Sequence, residues 1–392
     1  MVLADNTLLI LAVILFFGLV IPEFFKKVQL PFVTSLIFLG SILGPYGFRY
    51  VKSNEAIELF GFLGAAFLML LAGLEVRKIQ FKGFKQRILM MASINAMIPF
   101  MVGTAIVLLF GYDLKAAMVV GVIFMSTSIF IVRSSVRLMK MEHTNIGQAI
   151  IGCAELQDSA SLLILALIMQ WITPTTRYSL PIYFGILISS IILLRMFLPE
   201  ITVYFFKRHT RKYDEYEVQL RAVIALLLFV LIIFSSLGVH SIVAAFLVGI
   251  TLSDVLKSEA LKHKLHTMGY GIFVPIFFFI IGMEMDLNAL ILFDLGNLLM
   301  VSLIIGLFIS KIVSGFISAK IEEFSNRESA IFGIMSTSKL TTTLSATYAA
   351  LSINIIDKNI VSSIVLLSII STIITPLLTS IFNKKRGTKN YV

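Results

Sequence analysis

The chain has 392 residues, of which 58% are hydrophobic and only 14% charged, and its mean hydropathy is +0.98. Soluble domains carry about 25% charged residues, so this composition excludes a soluble globule, a disordered chain and a nucleic-acid module. The net charge of +10 instead points to basic loops that anchor a polytopic membrane protein on its cytoplasmic side.

Thirteen apolar runs read as transmembrane helices, spans 1 to 13. In chain order they fall near 7–22, 30–45, 56–74, 88–111, 116–139, 146–172, 180–198, 218–238, 240–256, 269–283, 293–319, 329–349 and 359–382. The runs are too long and too continuously apolar for alternating barrel strands. At about 20 residues each they use roughly two thirds of the chain, so only short loops are expected and no soluble domain. Asp5 and the absence of Lys or Arg before span 1 argue against a secretion signal, which starts positively. The single cysteine, Cys153, reads as a small core residue. The five histidines have no metal-cluster spacing, so neither a cofactor nor a resident metal is expected, nor an enzyme.

The loops sort by side. Those after the odd-numbered spans, with the C-terminal tail, hold 21 of the 32 Lys and Arg, and the opposite loops hold 5. This asymmetry predicts the N-terminus outside and the C-terminus in the cytoplasm of a cell membrane. An odd number of spans requires the same.

The chain also repeats itself at one offset. Met125-Ser126-Thr127-Ser128 recurs 210 residues later as Met335-Ser336-Thr337-Ser338. Gly73-Leu74-Glu75 recurs 209 later as Gly282-Met283-Glu284, and Gly40 finds Gly249. The matches lie seven spans apart, so the second copy is inverted in the membrane: six helices, a linker helix and six more, a plan used by many secondary transporters. The two Ser-Thr-Ser segments are polar islands within spans 5 and 12. Paired interruptions at repeat-related positions point to an ion site, where unwound carbonyls and hydroxyls supply oxygen ligands.

Ionisable groups in the membrane interior are costly and mark function. Asp158 lies near the middle of span 6, with Glu155 one turn before it. The residues predict a carboxylate that is alternately protonated and cation-bound, the least chemistry an exchanger needs. Lys311, central in span 11, is expected to ion-pair with Glu155 or Asp158, because a buried lysine wants a partner. Lys339, directly after the second island, is expected to neutralise the carbonyl end of a half-helix. Arg133 is expected to face the cytoplasmic mouth.

Several stretches resemble the monovalent cation:proton antiporter-2 family. They are Leu30-Pro31-Phe32-Val33 with Gly40 and Leu43-Gly44-Pro45, Phe67 through Ala72-Gly73-Leu74-Glu75, Ser126-Thr127-Ser128, Gln157-Asp158, Phe277-Phe278-Phe279 with Gly282-Met283, and Lys311. The resemblance covers about 7–382. It implies the Na+/H+ antiporter fold, an all-α polytopic membrane protein in which spans 5 and 12 are discontinuous and cross at their breaks. It also implies a homodimer in the lipid bilayer and an elevator mechanism. The core bundle would be about 88–172 and 293–382, the scaffold about 7–74 and 180–283, and 383–392 a short basic tail. Asp158 would bind cation or proton, helped by Gln157, Thr127 and Ser128, with Ser336, Thr337 and Ser338 at the second break. The chain departs from the family there: many members carry Arg and Glu, whereas Ser338 is followed by Lys339 and Leu340. A Kef-type nucleotide-binding domain is not expected, because the chain stops about ten residues after span 13. Expected cargoes are H+ and Na+, with K+ possible because Gln-Asp resembles the Kef branch. A channel would need filter carbonyls but no titrating carboxylate, which Asp158 argues against. A Na+-coupled organic-anion symporter would offer Arg133 or Lys339 to its anion.

Overall fold

The computed structural model describes residues 7–25, 32–75, 85–172, 179–209, 215–253, 255–256, 258–286 and 295–384. The basic tail of 383–392 therefore lies outside the described residues from 385 onward. Sixteen α-helices and one π-turn are present among them. They are α1 (Thr7–Phe25), α2 (Phe32–Leu43), α3 (Glu55–Glu75), α4 (Lys85–Leu109), α5 (Leu114–Met125), α6 (Ile129–Leu138), α7 (Asn145–Ile172) and α8 (Leu180–His209). There follow α9 (Glu215–Ser236), α10 (Ser241–Ser253), α11 (Glu259–Met268), a π-turn (Gly269–Phe273), α12 (Val274–Met283), α13 (Leu295–Ile321), α14 (Asn326–Met335), α15 (Thr341–Ser352) and α16 (Lys358–Lys384).

These make the thirteen expected spans. Span 5 is α5 with α6, span 10 is α11 with the π-turn and α12, and span 12 is α14 with α15. Two boundaries differ from expectation. Span 7 runs to His209 rather than 198, because its basic end continues the helix beyond the apolar run. Span 10 starts at Glu259 rather than 269, since Ser258 caps α11 by accepting from Leu261 N.

Packing sorts the helices into two sets. In one, α4 lies against α5, α7 and α13, and α13 against α14 and α16. In the other, α3 packs on α10 and α12, and α2 on α12. The second set depends on glycine. A Cβ on Gly73 would sit 2.8 Å from the Gly249 Cα, and one on Gly40 would sit 3.1 Å from the Gly282 Cα. Small residues let membrane helices approach this closely. The two contacts are the same contact repeated: Gly40 corresponds to Gly249, and Gly73 to Gly282. The inverted repeat is thus present in the packing as well as in the sequence.

Candidate functional site

Both Ser-Thr-Ser islands break their helices. After α5, Ser126 (ψ 159°) and Ser128 (ψ 109°) are extended, so three residues leave the helix before α6 begins. The second break spans 336–340, between α14 and α15. Unwinding exposes peptide groups that lipid cannot satisfy, and here each break satisfies the other. Ser128 N donates to Ser338 O at 2.9 Å. Ser338 Oγ lies 3.5 Å from Ser128 O, and Thr127 Oγ1 lies 3.2 Å from Ser336 O. The expected crossing is present.

The hydroxyls divide unequally. At the second break, Ser336, Thr337 and Ser338 bond back to Gly333, Ile334 and Met335 carbonyls at 2.7–2.9 Å, and Thr337 also meets Thr375 at 2.8 Å. Thr337 is thereby committed to α14 and α16, while Ser336 Oγ also accepts from Asn95 on α4 at 3.3 Å. At the first break Thr127 Oγ1 donates to Gln157 Oε1 at 2.6 Å, while Ser128 Oγ, buried, makes no hydrogen bond.

On α7, Asp158 is 3% exposed. The Ile129 and Thr127 amides and the Lys339 ammonium act on its carboxyl, yet its Oδ1 has no hydrogen bond. Buried polar atoms are nearly always partnered, and here the hydroxyls of Ser128, Thr341, Thr342 and Ser345 share this lack. An unsatisfied carboxylate oxygen on α7, with unsatisfied hydroxyls at the first break and on α15, is the kind of oxygen set that a desolvated monovalent cation needs.

The two buried lysines do not do the same thing. Lys339 Nζ donates to Ile123 O and Phe124 O at 2.9 Å each, and to Ser126 O. The second break thereby supplies the cation that neutralises the carbonyl end of α5, the half-helix of the first break. Lys311 Nζ differs from expectation: it lies within 4 Å of neither Glu155 nor Asp158. It donates instead among oxygens of Met125 O (2.8 Å), Thr127 Oγ1 (3.0 Å), Asn95 O and Gln157 Oε1 (3.2 Å each) and Asn95 Oδ1 (3.4 Å). Glu155 is engaged elsewhere, by Arg133 at 2.5 Å, and Arg133 also donates to the Glu75 carbonyl at the end of α3. A nearer arginine took the glutamate, and neutral oxygens suffice for the ammonium. The thiol of Cys153 is buried against Ile88 O at 3.4 Å.

One central residue escaped the sequence reading. Asn95, on α4, is fully buried and bonds to Gln157, Lys311, Ser314 and Ser336. An uncharged amide in an apolar run is a weaker signal than a charge, but a polar residue at mid-span is still a signal. Thr342 and Thr343 were missed because a Thr-rich turn is common in membrane helices; Thr343 Oγ1 meets Ser126 Oγ at 3.2 Å.

Comparison with known proteins agrees with this architecture. A family model described as "Sodium/hydrogen exchanger, transmembrane" matches residues 11–385. "Probable Na(+)/H(+) antiporter 3" of Methanocaldococcus jannaschii is 29% identical over 368 residues, covering 91% of this chain and 92% of that protein. "Na(+)/H(+) antiporter NhaS5" of Synechocystis is 26% identical over 394 residues, covering 97% of this chain but 55% of that protein. The structure of the sodium proton antiporter MjNhaP1 from Methanocaldococcus jannaschii at pH 8 superposes with a TM-score of 0.69 at 16% identity, covering 96% of this chain and 97% of that one. That likeness establishes the fold.

Proposed function

We propose, for a chain that belongs to the sodium/hydrogen exchanger family, that it exchanges Na+ for H+ across the membrane, with Asp158 alternately protonated and cation-bound. The observation that carries this reading is the buried Asp158 Oδ1, unpartnered at the crossing of two broken helices. A carboxylate that must hold either a proton or a cation couples the two fluxes. Gln157, Thr127 and Ser128 contribute oxygens from α7 and the first break. K+ is the second cargo reading, because the Gln157–Asp158 pair resembles the Kef branch; the placement in the monovalent cation:proton antiporter-2 branch rests on the same motifs. The test is purified protein in liposomes with an internal pH dye, challenged in turn with Na+, K+ and Li+. Na+ should move protons most readily, and a pH trace flat with all three would overturn the reading.

Thr127→Val tests the hydroxyl. It keeps shape and removes an oxygen, so the half-saturating cation concentration should rise about five- to ten-fold, the worth of one hydrogen-bonding group, while the maximal rate survives. Unaltered half-saturation would assign the ligand role to the Thr127 carbonyl.

The elevator reading places 88–172 and 293–382 as the moving core and 7–74 and 180–283 as the scaffold, in a homodimer with the N-terminus outside. Polar contacts between the two parts support it, because they include a pair at opposite ends of the bundle. At one end core Arg133 holds the carbonyl of Glu75, the last residue of α3, which otherwise belongs to the scaffold. At the other, core Lys358 bonds the Tyr46 hydroxyl of the scaffold, lies 4.5 Å over that ring and stands 3.8 Å from Glu284, which caps the scaffold helix α12. Glu75 and Glu284 are repeat equivalents, each closing a scaffold helix. Contacts at both mouths are what a translating core must break in turn. Lys358→Ala should therefore raise the maximal exchange rate by up to about five-fold, the ceiling for a half-exposed ion pair, with half-saturation unchanged. A shift in half-saturation alone would remove Lys358 from the motion and put it in the ion path.

A further inference from the structure

Asn95 reaches three other elements from the apolar run of α4. Its Nδ2 donates to Lys311 O at 3.0 Å, Ser314 Oγ at 3.0 Å and Ser336 Oγ at 3.3 Å. Its Oδ1 accepts from Gln157 Nε2 at 3.1 Å and from Lys311 Nζ at 3.4 Å. An amide has one donor end and one acceptor end, and exchanging them takes a half-turn. Turned over, Asn95 would set its NH2 against an ammonium and an amide NH2, and its oxygen against a carbonyl oxygen. An ammonium only donates and a peptide carbonyl only accepts, so Lys311 supplies both restraints and the orientation of Asn95 is forced.

The restraint passes to Gln157. Its Nε2 is held by Asn95 Oδ1 and by Ala92 O at 3.0 Å. Its Oε1 is thereby turned to Thr127 Oγ1 and to the Lys311 ammonium, at 2.6 Å and 3.2 Å. Without Asn95 a half-turn of Gln157 is opposed only by the Ala92 carbonyl and the Lys311 ammonium, and a turned-over side chain presents to the first break an NH2 that repels a cation.

We propose that Asn95 is a positioning residue that keeps the Gln157 carbonyl oxygen facing the first break, and so makes residue 157 an oxygen ligand for the monovalent cation beside Asp158. This rests on the exchanger reading above. Asn95 touches the cation only through Gln157, so its effect must vanish when Gln157 is removed. A residue that merely ties α4 to α13 and to the second break would act whatever stands at 157.

The experiment is a double-mutant cycle of Asn95→Ala and Gln157→Ala in proteoliposomes, titrating Na+ and K+. Each single change should raise the half-saturating concentration about five- to thirty-fold with the maximal rate largely kept, and the double variant should be no worse than Gln157→Ala. Additive losses, or a lost maximal rate with unchanged half-saturation, would overturn the proposal. For variants too slow to assay, the cation-induced rise in melting temperature in detergent reads the same coupling. Asn95→Asp is the rescue arm: it retains the acceptor that holds Gln157 Nε2, so half-saturation should stay at or below the wild-type value. A weakening as large as that of Asn95→Ala would also overturn the proposal. Wild-type protein with no response to either cation would overturn the exchanger reading and the proposal with it, whereas a responsive wild type with an additive cycle overturns only the role of Asn95.

Discussion

Asp158→Asn is expected to reduce cation–proton exchange to the level of empty liposomes while leaving a folded protein. The swap retains size and hydrogen-bonding capacity and removes the one charge at the crossing that can be cancelled by either a proton or a cation. Without it, the oxygens of Thr127, Ser128 and Gln157 are all neutral dipoles, and a cation entering them must leave water with no opposite charge to offset its desolvation. Folding should survive, because Asn keeps an acceptor oxygen for the Ile129 and Thr127 amides and the other oxygen, Asp158 Oδ1, has no hydrogen bond to lose. Competition for one carboxylate adds a pH signature. As pH falls, a larger share of Asp158 holds a proton that the cation must displace, so the half-saturating concentration should rise, and at high pH it should level off. With Lys311, held by five neutral oxygens rather than by a carboxylate, keeping its proton through the cycle, one proton should leave per cation and exchange should be electroneutral. Liposome exchange at imposed potentials, for wild type and variant, checks both parts. Robust exchange by the Asn variant would end the mechanism, and a voltage-sensitive wild type would make Lys311 a proton carrier.

Lys339→Met should cause the largest loss of stability, about 3–5 kcal/mol, the usual cost of removing one partner from a buried charged contact. Lys339 is 0% exposed, and its ammonium joins the second break to the first, reaching Ser126 across 213 residues of chain, by bonding carbonyls of Ile123, Phe124 and Ser126. These belong to the end of α5, where the dipole gathers about half a negative charge and lipid offers no water to bond it. Met fills the same space but leaves the carbonyls bare, and each buried acceptor left so costs about 1–3 kcal/mol. Relief from burying an ammonium offsets part of the sum. Thermal melting in detergent should show a clear drop for Met and a smaller one for Lys339→Arg, which keeps the charge. A melting temperature unchanged in Lys339→Met would mean that the carbonyl end of α5 is satisfied without it.

Much of this molecule is legible in one dimension because a bilayer imposes its rule locally. Each crossing segment must satisfy its own backbone within a long apolar helix, so thirteen spans, two interruptions and a mid-membrane carboxylate can be read residue by residue. The repeat is legible for the same reason: Gly40, Gly73, Gly249 and Gly282 carry the offset of 209 in the chain and meet in pairs in space. Pairing among the buried charges is not local. Glu155, Asp158, Arg133, Lys311 and Lys339 offer many combinations of similar Coulomb energy, and the choice among them depends on how each helix is rotated and where two breaks cross. The tertiary structure gave Glu155 to Arg133, surrounded Lys311 with oxygens of α4, α5, the first break and α7, and sent Lys339 to the end of a half-helix of the other repeat. It also brought Asn95, a residue with no charge to betray it, to the centre of that network. The sequence by itself determined which groups are buried together, whereas only the packing of whole helices against one another decided which of them touch.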